Sequence, residues 1–563
     1  MVSDSNILQR VIQRSAELHL AHICGNGDPF ELGSARPLDF GHWAAHKLES
    51  ITDHRLRHGE AVAIGLALDL MYSVRMGFLN RAVADRIIGV LEAIGFSLWD
   101  DALLERDAHG RHVLIAGLRE FREHLGGDLH ITLLRGIGDA FEVTDMDEAA
   151  VLDSIEDLAA GQRRSMRVRD RFHLTYCSNI HPGESWPEVS SALGAALPSI
   201  RRRLSAEGPL AIGLRLSARA AEELEQPVAL AAFRAFLDDG DYYVPTMNGF
   251  PYGAFHGQRV KEQVYLPDWR EPARIAYTNR LASLLARLLD TRIVPEGSVS
   301  TVPGAFKAHL RSAGDARAIA AGILEHAAHL VRLRDETGVT IALAIEPEPS
   351  CFVETVAEAV DFFTAYLFDD ALVASLARQG GYALSVDEVR RHIGVCFDAC
   401  HMAVEFEEPG PALLSLARAG IRVPKFQISS ALQVANPVEG SPARAALARF
   451  AEDTYLHQVV ERSDGRLTRY SDLPAALASP ASDAEREWRI HFHVPIFLEA
   501  MGDLDTTQAY LGSVIDLVKQ TPGTTCLEVE TYTWDVLPPE YRTEHMNAAI
   551  ARELAWTRAR LES

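Results

Sequence analysis

IGVCFDACH, residues 393–401, is a short apolar run that stops on a carboxylate, with an imidazole following one helical turn later. An apolar strand has no packing reason to end on Asp398. If the strand gives way to a helix there, Asp398 and His401 face the same way.

The surrounding pattern fits that reading. From residue 171 short β-rich runs alternate with longer amphipathic stretches. The runs are FHLTYC from Phe172, AIGLRL from Ala211, YYVPTM from Tyr242, SVSTV from Ser298, TIALAIE from Thr340, IGVCFD from Ile393, RVPKFQI from Arg422 and TCLEVE from Thr525. Helix candidates lie between them, such as residues 186–204 and 316–338, the latter ending in the helix-capping Gly338. Eight alternations predict an α/β fold, a (β/α)8 barrel of parallel strands. A further run, WRIHFHV from Trp488, lies in the long connection between strands seven and eight and reads as an active-site insertion.

In such barrels the chemistry gathers at the C-terminal strand ends. Strand five ends in Glu346 and continues to Glu348, strand six in Asp398 and His401. Strand seven carries Gln427, the insertion His491 and His493, and strand eight ends in Glu530. Strand one runs into Asn179 and His181, and strand three into Asn248 and then His256. Converging carboxylates and imidazoles repel or desolvate one another unless a cation sits among them. The expected ligands are therefore Glu346, Asp398, His401, Gln427, His491, His493 and Glu530, around a divalent ion (Zn, Mn, Co or Mg). Glu346 and Glu530 are also candidates for proton transfer. Asn248, His256, Lys307 and Lys425 are candidate substrate contacts, with Arg215 and Lys261 as further cations for an anionic substrate.

Composition narrows the partners. The 563 residues exceed what one core holds. The net charge of −23, with no large Lys/Arg block, argues against nucleic acid and against anionic membranes. No run approaches a membrane span, and the N-terminus has no secretory pattern, so the cytoplasm is the expected compartment. Cys396 and Cys400 flank Asp398 without metal-knuckle spacing and read as buried thiols.

The first 160 residues read as an all-helical domain, residues 161–170 as a linker and 171–563 as the barrel. RPLDFGHWAAHKLESITDHRLRHGEAVAIG (36–65) places His42 and His46 on one helix face, with His58 opening the next helix. Two such histidines and a carboxylate suit zinc.

Resemblance adds to this. Glu on strand five, Asp-x-x-His on six, a polar ligand on seven and Glu-Thr on eight resemble the xylose-isomerase-like TIM-barrel superfamily, in which the matching positions bind divalent metals. Gln427 stands where most relatives carry His. NIHPGESW (179–186), NGFPYGAFHG (248–257), KEQVYLPDW (261–269), STVPGAFK (300–307) and ETYTWDVLP (530–538) are similar to the E-type metabolite traffic proteins of the Ebo cluster. That resemblance implies a small-metabolite route, with other Ebo-pathway proteins as partners. The N-terminal string resembles the C-terminal domain of 3-dehydroquinate synthase and related sugar phosphate cyclases, including the D-type Ebo protein. It implies His42 and His58 as zinc ligands and His46 as a catalytic or substrate-binding residue. Asp39 and His19 depart from the synthase pattern. The resemblance implies NAD only if a missing dinucleotide-binding domain is supplied. Gly25-Asn26-Gly27 lacks the strand–helix context of a phosphate loop.

The resulting expectation is a metal-dependent barrel with isomerase- or epimerase-type chemistry on a sugar-like or polyol-like metabolite, fused to a partial cyclase. The alternatives are a non-catalytic metabolite-binding module, and a cyclase that lacks its NAD domain.

Overall fold

The structure is a computed structural model. It describes residues 13–17, 20, 39–93, 96, 98–107, 111–124, 130–162, 167–168, 171–204, 208–480, 485–521, 525–542 and 544–562. His19, Cys24 and the Gly25-Asn26-Gly27 run lie outside the described residues. The chain divides into two compact units, Met1–Arg164 and Ser165–Ser563.

The second unit is the eight-stranded barrel. Its strands are β1 (Phe172–Tyr176), β2 (Leu210–Arg215), β3 (Tyr242–Asn248), β4 (Glu296–Thr301), β5 (Thr340–Ile345), β6 (Ile393–Asp398), β7 (Arg422–Ile428) and β8 (Thr525–Val529). Each pairs in parallel with its sequence neighbour from β2 to β8, and β8 pairs with β1. A parallel bridge between Cys177 and Gly213 joins β1 to β2 and completes the ring. Arg167–Val168 adds a short antiparallel piece to β1.

Small side chains on alternate strand positions make the interior roomy. Thr246 and Ser298 hydrogen-bond to each other at 2.8 Å, and Ser300 accepts from Lys425 at 3.1 Å. Gly213 is a steric necessity, because a Cβ there would lie 1.5 Å from Glu528 Oε2. The register sets Gln427 opposite both Asp398 on β6 and Glu528 on β8. The donor-bearing ends of β6, β7 and β8 therefore come out side by side. Helices clad the outside. The longest, Asp315–Thr337, ends as expected on Gly338 in the left-handed region (φ 74°).

Between β7 and β8 the chain forms more than the single run expected. It builds a six-stranded antiparallel sheet, with Arg486–Ile490 between Val459–Ser463 and Leu432–Ala435. The strand stops at Ile490, and His491 and His493 lie beyond its end.

The first unit is helical, with one hairpin, Ile131–Gly136 and Asp139–Val143, that the helical reading did not anticipate. Helices α1 (His42–Ile51) and α2 (His58–Arg75) meet backbone to backbone. Gly41 has φ 80°, and a Cβ on Gly65 would sit 2.0 Å from the Gly41 oxygen. Asp69 of α2 accepts from the Gly41 N–H (3.0 Å) and the Trp43 indole (2.8 Å), which fixes the start of α1. Among the described residues no helix is long and apolar enough to cross a membrane.

Candidate metal centre in the barrel mouth

Asp398 caps the helix Ala399–Val404, its Oδ1 accepting from the His401 N–H at 3.0 Å. The strand-end carboxylate thus orients the helix turn that carries the imidazole. Ser429 donates to the same oxygen at 2.8 Å. That leaves Oδ2 buried and without a partner among the described residues.

Glu530 is held on both oxygens. Asn179 (2.7 Å) and Asn248 (3.0 Å) donate to Oε1, and the Gln427 amide donates to Oε2 at 3.0 Å. Gln427 Oε1 and Glu346 Oε2 are buried with no partner among the described residues. Oxygen atoms of Glu346, Asp398 and Glu530 lie within 4.8 Å of one another.

Three imidazoles adjoin this oxygen cluster, and their outer nitrogens are fixed by carbonyl groups. His401 Nδ1 faces the Pro347 carbonyl (2.9 Å) and His493 Nδ1 the Glu530 carbonyl (2.9 Å). His491 Nδ1 faces the amide oxygen of Gln458 (2.8 Å), whose NH2 end is occupied by the Pro349 carbonyl (3.1 Å). A carbonyl oxygen only accepts, so each Nδ1 must donate. In the neutral rings every Nε2 is then a bare lone pair. His401 Nε2 and His491 Nε2 nevertheless face each other at 3.0 Å, and His493 Nε2 has no partner among the described residues. Two lone pairs at that distance require a proton or a cation between them. Burial and the adjoining His401 and His493 rings hold His491 well below the ordinary histidine range, and burial holds His493 at about 4.

The carboxylates show the converse. Burial, then Glu530 and Asp398, push Glu346 well above the usual range. Burial, then Asp398 and Glu528, push Glu530 up to about 8. Glu348 is raised by burial, while its Oε1 accepts from Tyr265 at 2.6 Å. Glu346, Glu348, Asp398, Glu528 and Glu530 are all buried, and Lys425 is paired with Glu528. Carboxylates drawn together and buried in this way have the charge that a divalent cation would offset. The donors fit such ions: an oxygen-rich set of Glu346, Asp398 and Glu530 with the unpartnered amide oxygen of Gln427, and a nitrogen-bearing set in which His401 joins either His491 and Glu348 or His493 and Asp398.

Every expected barrel ligand comes to this centre; of the expected substrate contacts, Asn248 and the further cation Lys261 line the cavity, and His256, Lys307 and Lys425 do not. Asn248 lines the cavity above the donors, with its amide committed to Glu530. Lys425 lies below the centre, fully buried, 2.5 Å from Glu528. Lys307 is bound to Glu354 and Glu358 outside the cavity. The His256 ring lies between the Asn179 carbonyl and Tyr455 rather than on the cavity wall. Arg215 pairs with Glu184, and Lys261 pairs with Asp472 at 2.7 Å. Each of these cations is drawn off by a carboxylate that sequence order does not reveal. The sequence reading gave no role to Tyr265, Gln458 and Tyr532. Only the motifs KEQVYLPDW and ETYTWDVLP flagged two of them.

In the first unit the three expected histidines do cluster. Their ring centroids are 5.3 Å (His42–His58), 5.9 Å (His42–His46) and 5.9 Å (His46–His58) apart. Glu49, unforeseen, reaches His58 at 3.1 Å and His46 at 3.6 Å. His42 is lowered chiefly by burial.

Comparison with known proteins divides the chain similarly. Residues 1–110 match the family model described as 3-dehydroquinate synthase C-terminal. The 3-dehydroquinate synthase of Chlorobium luteolum is 36% identical over 155 residues, 27% of this chain and 41% of that protein. The chain thus spans about two-fifths of the length of the curated relatives it matches. Among solved structures, the IolI protein with a bound zinc atom is 13% identical at a TM-score of 0.35, over 69% of this chain and 98% of that one. A xylose isomerase-like TIM barrel protein from Mycobacterium smegmatis in complex with magnesium is 12% identical at a TM-score of 0.35, over 69% and 96%. The strand order described above, rather than these scores, establishes the barrel.

Proposed function

We propose that the barrel is a metal-dependent enzyme that moves protons on a small, hydroxylated, sugar-like metabolite, as isomerases and epimerases do. The observation that carries this is the pair of Nε2 lone pairs of His401 and His491 at 3.0 Å, both outer nitrogens already donating to carbonyl groups. Glu346, Asp398, Gln427 and Glu530 would hold one ion, and His401 and His491 with Glu348 a second, His493 lying beside both. Bound there, a divalent ion polarises a substrate oxygen and acidifies the adjacent C–H. Glu346 and Glu530 then flank the substrate carbon, one removing a proton and the other returning it. Asn179 and Asn248 orient Glu530 by donating to it. The Tyr265–Glu348 and Gln458–His491 hydrogen bonds hold the nitrogen-rich side in its tautomer.

The experiment is solvent-hydrogen exchange. The full chain, loaded with Zn2+ or Mn2+, is incubated in D2O with dihydroxyacetone, fructose, ribulose and 2-hydroxyacetophenone. The reading expects deuterium next to the carbonyl of at least one probe, reduced at least about a hundredfold in Glu530→Gln. Metal-loaded protein that exchanges none of them favours a binding module.

In this reading the first unit is the rear part of a dehydroquinate-synthase-like cyclase. His42 and His58 would be its zinc ligands and His46 would lie at its substrate. NAD enters only with a dinucleotide-binding domain supplied to it. The barrel motifs support a place in a metabolite-processing or delivery route of the Ebo type, with other proteins of that route as partners.

A further inference from the structure

The cavity above the donors is small, about 50 Å³, and its walls are carbon. Phe255, Tyr455 and Tyr532 form a triangle of rings with centroids 5.0, 5.3 and 5.1 Å apart, and Phe250, Val260 and Tyr265 continue the wall. Most polar tips on this wall are committed elsewhere, the exception being the Tyr532 hydroxyl, which has no hydrogen bond among the described residues. Tyr455 donates to the Phe255 carbonyl (2.9 Å) and Tyr265 to Glu348. Lys261 Nζ donates to Asp472 (2.7 Å) and to the Glu452 carbonyl (2.9 Å). Asn248 donates to Glu530 and accepts from the Phe250 N–H. Orphaned polar atoms belong mainly to the floor: Glu346, Glu348, Asp398, Gln427, His493 and the amide oxygen of Asn179.

The geometry points to a substrate whose oxygens are gathered at one end, two neighbouring hydroxyl or carbonyl groups on a flat ring with an otherwise apolar face, and which carries no phosphate. This rests on the metal-centre reading and departs from it on the substrate, favouring a ring with two neighbouring oxygens over a sugar hydroxylated throughout. The two oxygens meet the floor, and the ring meets the aromatic triangle. A fully hydroxylated sugar would press its remaining hydroxyls against carbon, each losing about tenfold in affinity for want of a partner. A phosphate would find the ammonium that lines the cavity, Lys261, already paired with Asp472.

The test is calorimetry on the Zn2+-loaded full chain, with metal measured before and after titration. The probes are catechol, cis-1,2-cyclohexanediol, myo-inositol and glucose 6-phosphate. Catechol is expected to bind at least about tenfold tighter than myo-inositol, with the cyclohexanediol between them and glucose 6-phosphate not binding. Phe255→Asn and Tyr455→Ala should weaken catechol about tenfold at unchanged metal content. The ranking on the unaltered chain stands whether or not a variant folds. Metal retained with myo-inositol or glucose 6-phosphate bound as tightly as catechol overturns the substrate inference and leaves the metal reading intact. Protein that retains no metal overturns both.

Discussion

Lys425 and Glu528 lie 2.5 Å apart with both side chains wholly buried beneath the metal centre. Glu528 raises Lys425 against the opposing effect of burial. Removing one member of such a pair strands the other charge. Glu528→Gln should therefore cost about 3–5 kcal/mol in urea unfolding, and Lys425→Met/Glu528→Leu should recover most of it. Gly213→Ala should behave like the single variant, since its methyl group takes the space of the Glu528 carboxylate. The sequence showed a lysine near a strand end but not its depth. Strand periodicity gives the face a residue points to, and the partner on the neighbouring strand β8, far away in sequence, fixes how it is used. Asp69 makes a second prediction at this scale. Burial pushes it from 3.8 to about 7, against the lowering by Trp43 and Gly41. The folded unit therefore holds a proton that the unfolded chain has released. Its contribution is fully present below about pH 4 and is lost as pH rises to about 7. From pH 5 to pH 8 the first unit should lose about 2 kcal/mol, read from hydrogen exchange in α2. Asp69→Asn should start less stable, having lost one accepted hydrogen bond, and show a flatter dependence.

The segment after β3, residues 249–266, is the element that closes the mouth. Val260 and Lys261 both donate their N–H to the Thr454 carbonyl, at 2.8 and 2.9 Å. Lys261 adopts φ 39° to do so, a conformation held by its bond to Asp472. Lys261→Ala should loosen the segment, so that its amides exchange about tenfold faster while the metal content stays unchanged. An unchanged exchange rate would show that the aromatic packing of Phe255 and Val260 holds it alone. The barrel strands were readable because each is apolar, short and flanked by a long amphipathic stretch. The insertion sheet was not: Arg466–Tyr470 is exposed and polar, and its pairing with Val459–Ser463 comes from a turn rather than from any apolar alternation. The hairpin at 131–143 escaped for the same reason, its second strand DAFEV being largely exposed.

Across the whole molecule, the ligands were legible because a barrel converts position in the chain into position in space. Whatever ends a strand lies at the mouth, so Glu346, Asp398, Gln427 and Glu530 could be grouped before their distances were known. The groups that orient them could not. Asn179 could be set at the end of β1 but without its bond to Glu530, while Gln458 comes from a loop and Tyr265 from the short turn Lys261–Tyr265, where no period fixes direction. The cation budget around the mouth was likewise invisible: Lys425, Lys307, Arg215 and Lys261, the four cations considered for an anionic substrate, each sit in a pair with a carboxylate. The direct test of the central claim is metal stoichiometry by plasma emission on the full chain, with His42→Ala and His58→Ala so that the first unit does not contribute. After chelation and re-addition of Zn2+, the account predicts about two equivalents bound per chain, falling to about one in His401→Ala/His491→Ala. Folded protein that binds none, or whose content is indifferent to losing those histidines, would contradict it.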